Sequence, residues 1–194
     1  MKIDRSLNLV LTLEREGSPA IHIHSTPLSR GAFEANYKLI GGTYAEMFAR
    51  GPIYLLRVGP KVATLTLREV GTKEAEAYGL KGDGGVVALL AEIRRLSNVL
   101  APSPSGWEML PVDVALQRGV MDQDEWTEAE SAIVFFMLVS AAMTRDVLAT
   151  VLEKMAPIFD ARSESRSATD LLASLPTSKP HDHTHKHTPS SVPR

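Results

Sequence analysis

Histidine is the residue type with the most chemistry to offer here, and four of the six copies stand together near the end: His181, His183, His185 and His187. Neutral imidazoles at that density bind borderline metals such as Zn²⁺, Ni²⁺ or Cu²⁺. Asp182 is the one carboxylate among them, so the run is expected to bind metal incidentally and not as a built site. The other two, His22 and His24, alternate with Ile21 and Ile23, which puts both imidazoles on one face of a strand, the spacing at which sheet enzymes present two metal ligands. No third histidine lies outside the tail. A metal-dependent enzyme built on this pair would need remote carboxylates, and a solvent-facing pair on a hairpin edge is the preferred reading.

Other candidates are weaker. Residues 79–85 (GLKGDGG) precede a helix, whose N-terminus attracts phosphate, but the glycine-lysine-serine or threonine pattern of a phosphate loop is missing, and a flexible loop is expected. Glu125, Glu128 and Glu130 crowd the start of an apolar helix, where a solvated, dipole-complementing face accounts for them. Nucleophile elbows, zinc-protease helices and kinase signatures are absent from the sequence. The expectation is a non-enzyme with no catalytic, cofactor or metal residues. Trp107, Trp126, Tyr37, Tyr44, Phe135 and Phe136 are read mainly as core, although apolar helices joined by glycine and proline segments leave room for a helix-binding groove.

The elements that would carry these residues follow from periodicity. Leu7, Leu9, Leu11 and Leu13 alternate with Asn8, Val10 and Thr12, and residues 20–24 resume the two-residue period after a break at 16–19. That predicts a β-hairpin whose leucine face lies on the helices that follow. Thr26 before Pro27 suits a helix start. Phe33, Tyr37, Ile40, Tyr44 and Met47 then form one apolar stripe ending by Gly51 and Pro52, with Gly41 and Gly42 marking a bend or a close helix contact. A second helix opens at Pro60 and carries Val62, Leu65 and Val70; residues 62–67 also fit a strand, and helix is preferred. Five glycines within 71–85 read as a mobile connection. A third helix turns Val86, Leu89, Leu90, Ile93, Leu96 and Leu100 inward until Pro102 and Pro104 end it.

Residues 111–118 predict a short helix stopped by Gly119. Asp122 and Glu125 have the spacing of a capping box and introduce the most apolar helix, through Trp126, Ala129, Ile133, Phe136, Met137 and Ser140. Apolar nearly all round from Ala132, it should sit centrally. As a helix, 132–143 spans about 18 Å, short of a roughly 30 Å bilayer core. An amphipathic helix using Val147, Leu148, Val151, Leu152 and Met155 follows and stops near Pro157, and 169–175 add a last turn. The final 19 residues hold four prolines, four histidines and one aliphatic residue, Val192, and predict a disordered tail. The expected fold is therefore mainly α, of α+β type. An N-terminal β-hairpin (1–25) packs on a bundle of about five to six helices (26–175) in a single globular domain, 1–175, before the disordered tail, 176–194.

The 194 residues are enough for a real core, and 44% hydrophobic against 23% charged residues fits a water-soluble chain. A net charge of −2 offers no excess of cations to a phosphate backbone, so nucleic acid is not an expected partner. Nor is a membrane. The interrupted N-terminal apolar stretch lacks a signal-peptide core, which places the chain in the cytoplasm. With no cysteine, disulfides and thiolate chemistry are excluded.

With these residues read, the chain resembles the tail assembly chaperones of tailed bacteriophages. The likeness lies in residues 21–30 (IHIHSTPLSR), 91–99 (AEIRRLSNV), 132–136 (AIVFF) and 173–178 (ASLPTS), and spans most of 3–178. It implies a non-enzymatic helper in the host cell cytoplasm that binds the tape measure protein, a long apolar helical chain, and the major tail protein transiently during tail morphogenesis. It also implies, for many members, a longer frameshifted form extending beyond the end of the domain. A structural virion component, such as a tail or head-tail connector subunit, is the alternative.

Overall fold

A computed structural model describes residues 7–79, 81–143, 148, 150, 153, 154 and 160–176. Two strands open it, β1 (Asn8–Arg15) and β2 (Ser18–Ser25), joined by a tight turn in which Gly17 takes a φ of 71°. Four helices follow: α1 (Arg30–Ala35), α2 (Tyr37–Ala49), α3 (Pro52–Arg57) and α4 (Gly59–Ala77). Next come α5 (Val86–Arg95), the hairpin β3 (Ser97–Ser103) and β4 (Gly106–Pro111), α6 (Val112–Gln117) and α7 (Gln123–Ala142). A last strand, β5 (Ala161–Glu164), and helix α8 (Ala168–Ser174) complete the described elements.

The strands form one antiparallel sheet in the order β4-β3-β2-β1-β5. This corrects the mainly helical expectation: the hairpin is the middle of a five-stranded sheet and not a ribbon laid on a bundle. The error has a physical source. Leu96 and Leu100 continue the 3–4 spacing of Val86, Leu89, Leu90 and Ile93, but the helix ends at Arg95 and Leu100 points to the far side of the sheet. Pro102 is tolerated in β3 because the pairing with β2 runs only from Ser97 to Leu100, so its missing N–H deprives no neighbour on that side. Four residues of β5, with a single apolar one, leave no period to read.

Alternation sorts the sheet into two faces. Leu9, Leu11, Ile21, Ile23, Val99 and Leu110 join the helices in the main core, while Val10 and Leu100 meet Leu171 of α8 on the outer face. The centre of the helical layer is α7, buried without interruption from Ile133 to Val139, as its sequence predicts. Its start is the expected capping box: Asp122 Oδ1 accepts from Glu125 N at 2.8 Å and Glu125 Oε2 from Asp122 N at 2.8 Å. The helix preferred at Pro60 is present as α4. The start predicted at Thr26 lies further on: Ser29 caps α1, its Oγ accepting from Ala32 N, and the long stripe is broken at Asn36 into two helices.

The predicted mobile connection also needs correction, because α4 runs on through Gly71 to Ala77. There the missing side chain lets the backbone approach the start of α5; a Cβ on Gly71 would collide with Val86 Cγ2 and the Asp83 carbonyl. Gly71→Ala is expected to cost about 2–3 kcal/mol through that overlap. Gly41→Ala, within α2 and with nothing near its Cβ, should instead gain about 1 kcal/mol. Urea titrations of the two variants check the contrast. The amphipathic helix read over 147–155 and the disordered tail fall largely outside the described residues. Among those residues no helix is long and apolar enough to cross a membrane.

Candidate functional site

The histidine pair stands on the outer face of the sheet, both side chains on the same side as predicted. They do not form a solvent-facing edge pair. β2 is the central strand, and His24 is 0% exposed. Its Nε2 donates to the Arg166 carbonyl at 3.1 Å, a carbonyl that also accepts from Asn8 Nδ2 at 2.9 Å. His22 is half-buried, with Nδ1 3.0 Å from Thr12 Oγ1 and its ring stacked on Trp107 at 5.3 Å. Burial, and secondarily the charge of Arg162, hold its pKa below the usual value against an opposing pull from Glu14. Among the described residues no group of three or more His, Asp or Glu side chains is placed to hold a metal ion.

What covers this face is the strap formed by residues 160–176. It pairs β5 with β1 at one edge, crosses the sheet, and lays α8 beside β4 at the other, where Trp107 Nε1 donates to the Pro176 carbonyl at 3.0 Å. Its bend is stiffened by Glu164, whose carboxylate accepts from Arg166 Nη2 at 2.6 Å, Arg166 Nε at 3.0 Å and the Ser165 and Arg166 amides. Led by the Arg166 hydrogen bond, these contacts lower the Glu164 pKa to about 2, below its ordinary 4.5. The contribution is complete above pH 4.5 and is lost as pH falls through 2, because only the folded chain keeps the carboxylate charged in that window. Protection of the amides in 161–174, taken relative to unstructured-peptide exchange at the same pH, should therefore fall between pH 4.5 and 2, and Glu164→Gln should abolish that fall.

The remaining sequence candidates are occupied structurally. Asp83 closes the N-terminus of α5 by itself, Oδ2 accepting from Val87 N at 2.7 Å and Oδ1 from Gly85 N at 3.1 Å, so those amides are taken. Glu125 caps α7 and pairs with Arg15 at 2.8 Å. Trp126, Phe135 and Phe136 are core, whereas Tyr37 is exposed. The tail histidines lie outside the described residues.

A second feature was not singled out in the sequence. An open cleft of about 850 Å³ lies among α4, α5, α6 and α7. Each long wall is a helical stripe: Lys61, Leu65 and Arg68 on α4, Val87, Ala91 and Arg94 on α5, Gln123, Thr127 and Glu130 on α7. Leu65 and Val87 are 66% and 65% exposed, large apolar side chains on two different walls. Below them Arg94 is held in place by Asp113 at 3.0 Å and Glu130 at 3.8 Å, with its guanidinium 5.2 Å from the Trp126 ring centre. Trp126 Nε1 donates to Glu130 Oε1 at 3.1 Å. Lys61 and Arg68, both exposed, form no ion pair among the described residues.

Comparison of the chain with protein-family models, with curated proteins and with solved structures finds no match. The site must therefore be read from its own geometry. A cleft lined by apolar side chains on two walls, by fixed polar groups, and by the exposed cations Lys61 and Arg68 suits an amphipathic helix. The sequence signal for it existed: Leu65 falls out of step with the buried Ala63, Leu67 and Val70 and in step with Lys61 and Arg68.

Proposed function

We propose that this chain is a non-enzymatic assembly chaperone that holds an amphipathic helix of a client protein in the cleft between α4 and α5. The carrying observation is the pair Leu65 and Val87, solvent-exposed on facing elements of one open cleft. Burying two such side chains under a client's apolar stripe stabilises the complex by the transfer free energy of both. Lys61 and Arg68 supply orientation, favouring a helix with Asp or Glu along one flank. Of the clients implied by the resemblance to phage tail assembly chaperones, the tape measure protein has the matching chemistry, a long chain of apolar helices that aggregates when uncovered. The major tail protein would compete for that client surface as it assembles, releasing the chaperone into the host cytoplasm.

Co-expression with a tape measure protein is the test. The expected result is a client that becomes soluble and co-purifies with this chain; a client that stays insoluble and unbound overturns the reading.

A further inference from the structure

The outward face of α2 carries a further inference, and it does not rest on the cleft, whose lining residues include none from this helix. Leu39, Ile40, Thr43 and Met47 face the interior. On the opposite side Tyr37, Gly41, Ala45 and Phe48 recur at helical spacing, all exposed, with Tyr37 at 57% and Phe48 at 54%. Tyr44, at the margin of this stripe, stacks on Phe48 at 5.9 Å between ring centres. An uncharged, aromatic stripe on the outside of a helix marks an interaction surface. Gly41 in its middle has no purpose within the chain. Gly42 beside it makes room for Val70, 3.0 Å from where a Cβ would stand, but among the described residues nothing lies within 4 Å of the same point on Gly41. A mid-helix glycine costs about 1 kcal/mol relative to alanine, and here it leaves an open hollow between large rings.

We propose that two copies of this chain pair through α2, antiparallel about a two-fold axis at the middle of the helix. Charge names the occupant. Lys38 and Glu46 flank the stripe on one side and stand equally far from Gly42. Lys38 is exposed, donates to Tyr78 Oη at 3.1 Å and forms no ion pair among the described residues, while Glu46 meets Arg50 through Oε1 at 3.3 Å. An isologous antiparallel pair sets the same flank of each helix against itself with its direction reversed. Lys38 of each copy then faces the partner's Glu46, twice over, and the same register brings Tyr37 opposite the partner's Phe48 and Tyr44 over the hollow at the partner's Gly41. A contact centred on one 13-residue helix stays below the roughly 1,200 Å² of a standard interface, so the dimer is a reversible one.

Sedimentation of the whole chain over a concentration series is the test. A mass rising from 21.1 kDa towards twice that value is expected. Lys38→Glu places like charges opposite each other twice per dimer, and so does Glu46→Lys; each variant alone should dimerise about tenfold more weakly or worse. Mixing the two variants should restore the parent affinity as a heterodimer, because both opposed pairs then again carry opposite signs. A fold damaged by either substitution could not be repaired in this way. A constant 21.1 kDa at millimolar protein overturns the proposal and leaves the stripe to a different protein. A dimer that both substitutions leave intact, or whose loss mixing does not repair, overturns it as well.

Discussion

Trp126→Ala should lower the free energy of unfolding by about 4 kcal/mol, near the upper end for a single core truncation. The indole is fully buried in the first turns of α7 and carries three separate attachments. Its removal leaves an indole-sized cavity beneath Arg94. It strips Glu130, itself only 8% exposed, of the indole N–H, leaving a largely buried carboxylate oxygen with the more distant Arg94 as its remaining cation. That orphaning adds about 1–3 kcal/mol on its own. The indole also forms the surface on which the Arg94 guanidinium lies. Trp126→Phe keeps most of the burial and loses the donor, so a smaller loss of about 2 kcal/mol is expected. Urea denaturation with an unchanged slope measures both. Equal losses for the two variants would show that the lost hydrogen bond to Glu130, and not the buried ring, accounts for the effect.

Glutamate at both Leu65 and Val87 should weaken binding of the proposed client helix by more than 100-fold while leaving the fold untouched. Each side chain exposes about two thirds of its surface, so a docked helix can remove that area from water, worth about 1–2 kcal/mol apiece. Loss of both contacts amounts to about 3 kcal/mol, and the new carboxylates repel the acidic flank of the client as well. Neither residue packs in the core, so the thermal midpoint should move little. Titration of a client helix into the parent and the double variant reads the ratio directly. Retention of full affinity would move the client elsewhere on the surface.

The helical layer was legible because its signals are local. Asp122 and Glu125 announce the start of α7, and the unbroken apolar run after Ala132 places that helix at the centre. The hairpin was equally plain from its two-residue period. What failed was everything fixed by partners distant in sequence. Ser97–Ser103 becomes a strand because β2 and β4 flank it, although its leucine continues a helical stripe. Residues 161–164 become one because β1 has a free edge. The same holds for the site. The pairing of His22 with His24 on one face was readable, but the burial of His24 depends on a strap more than 130 residues away in the chain. The cleft depends on four helices meeting, and only the misplaced phase of Leu65 hinted at it.

The two outermost strands are short: β5 has four residues and β4 six, the last of them Pro111. A sheet so trimmed offers passing chains little unpaired backbone to zip onto. For the proposed chaperone, which would accumulate beside half-assembled material, this is a specific immunity. Contact made through side chains in a helical furrow would not seed the fibrous growth that bare strand margins invite.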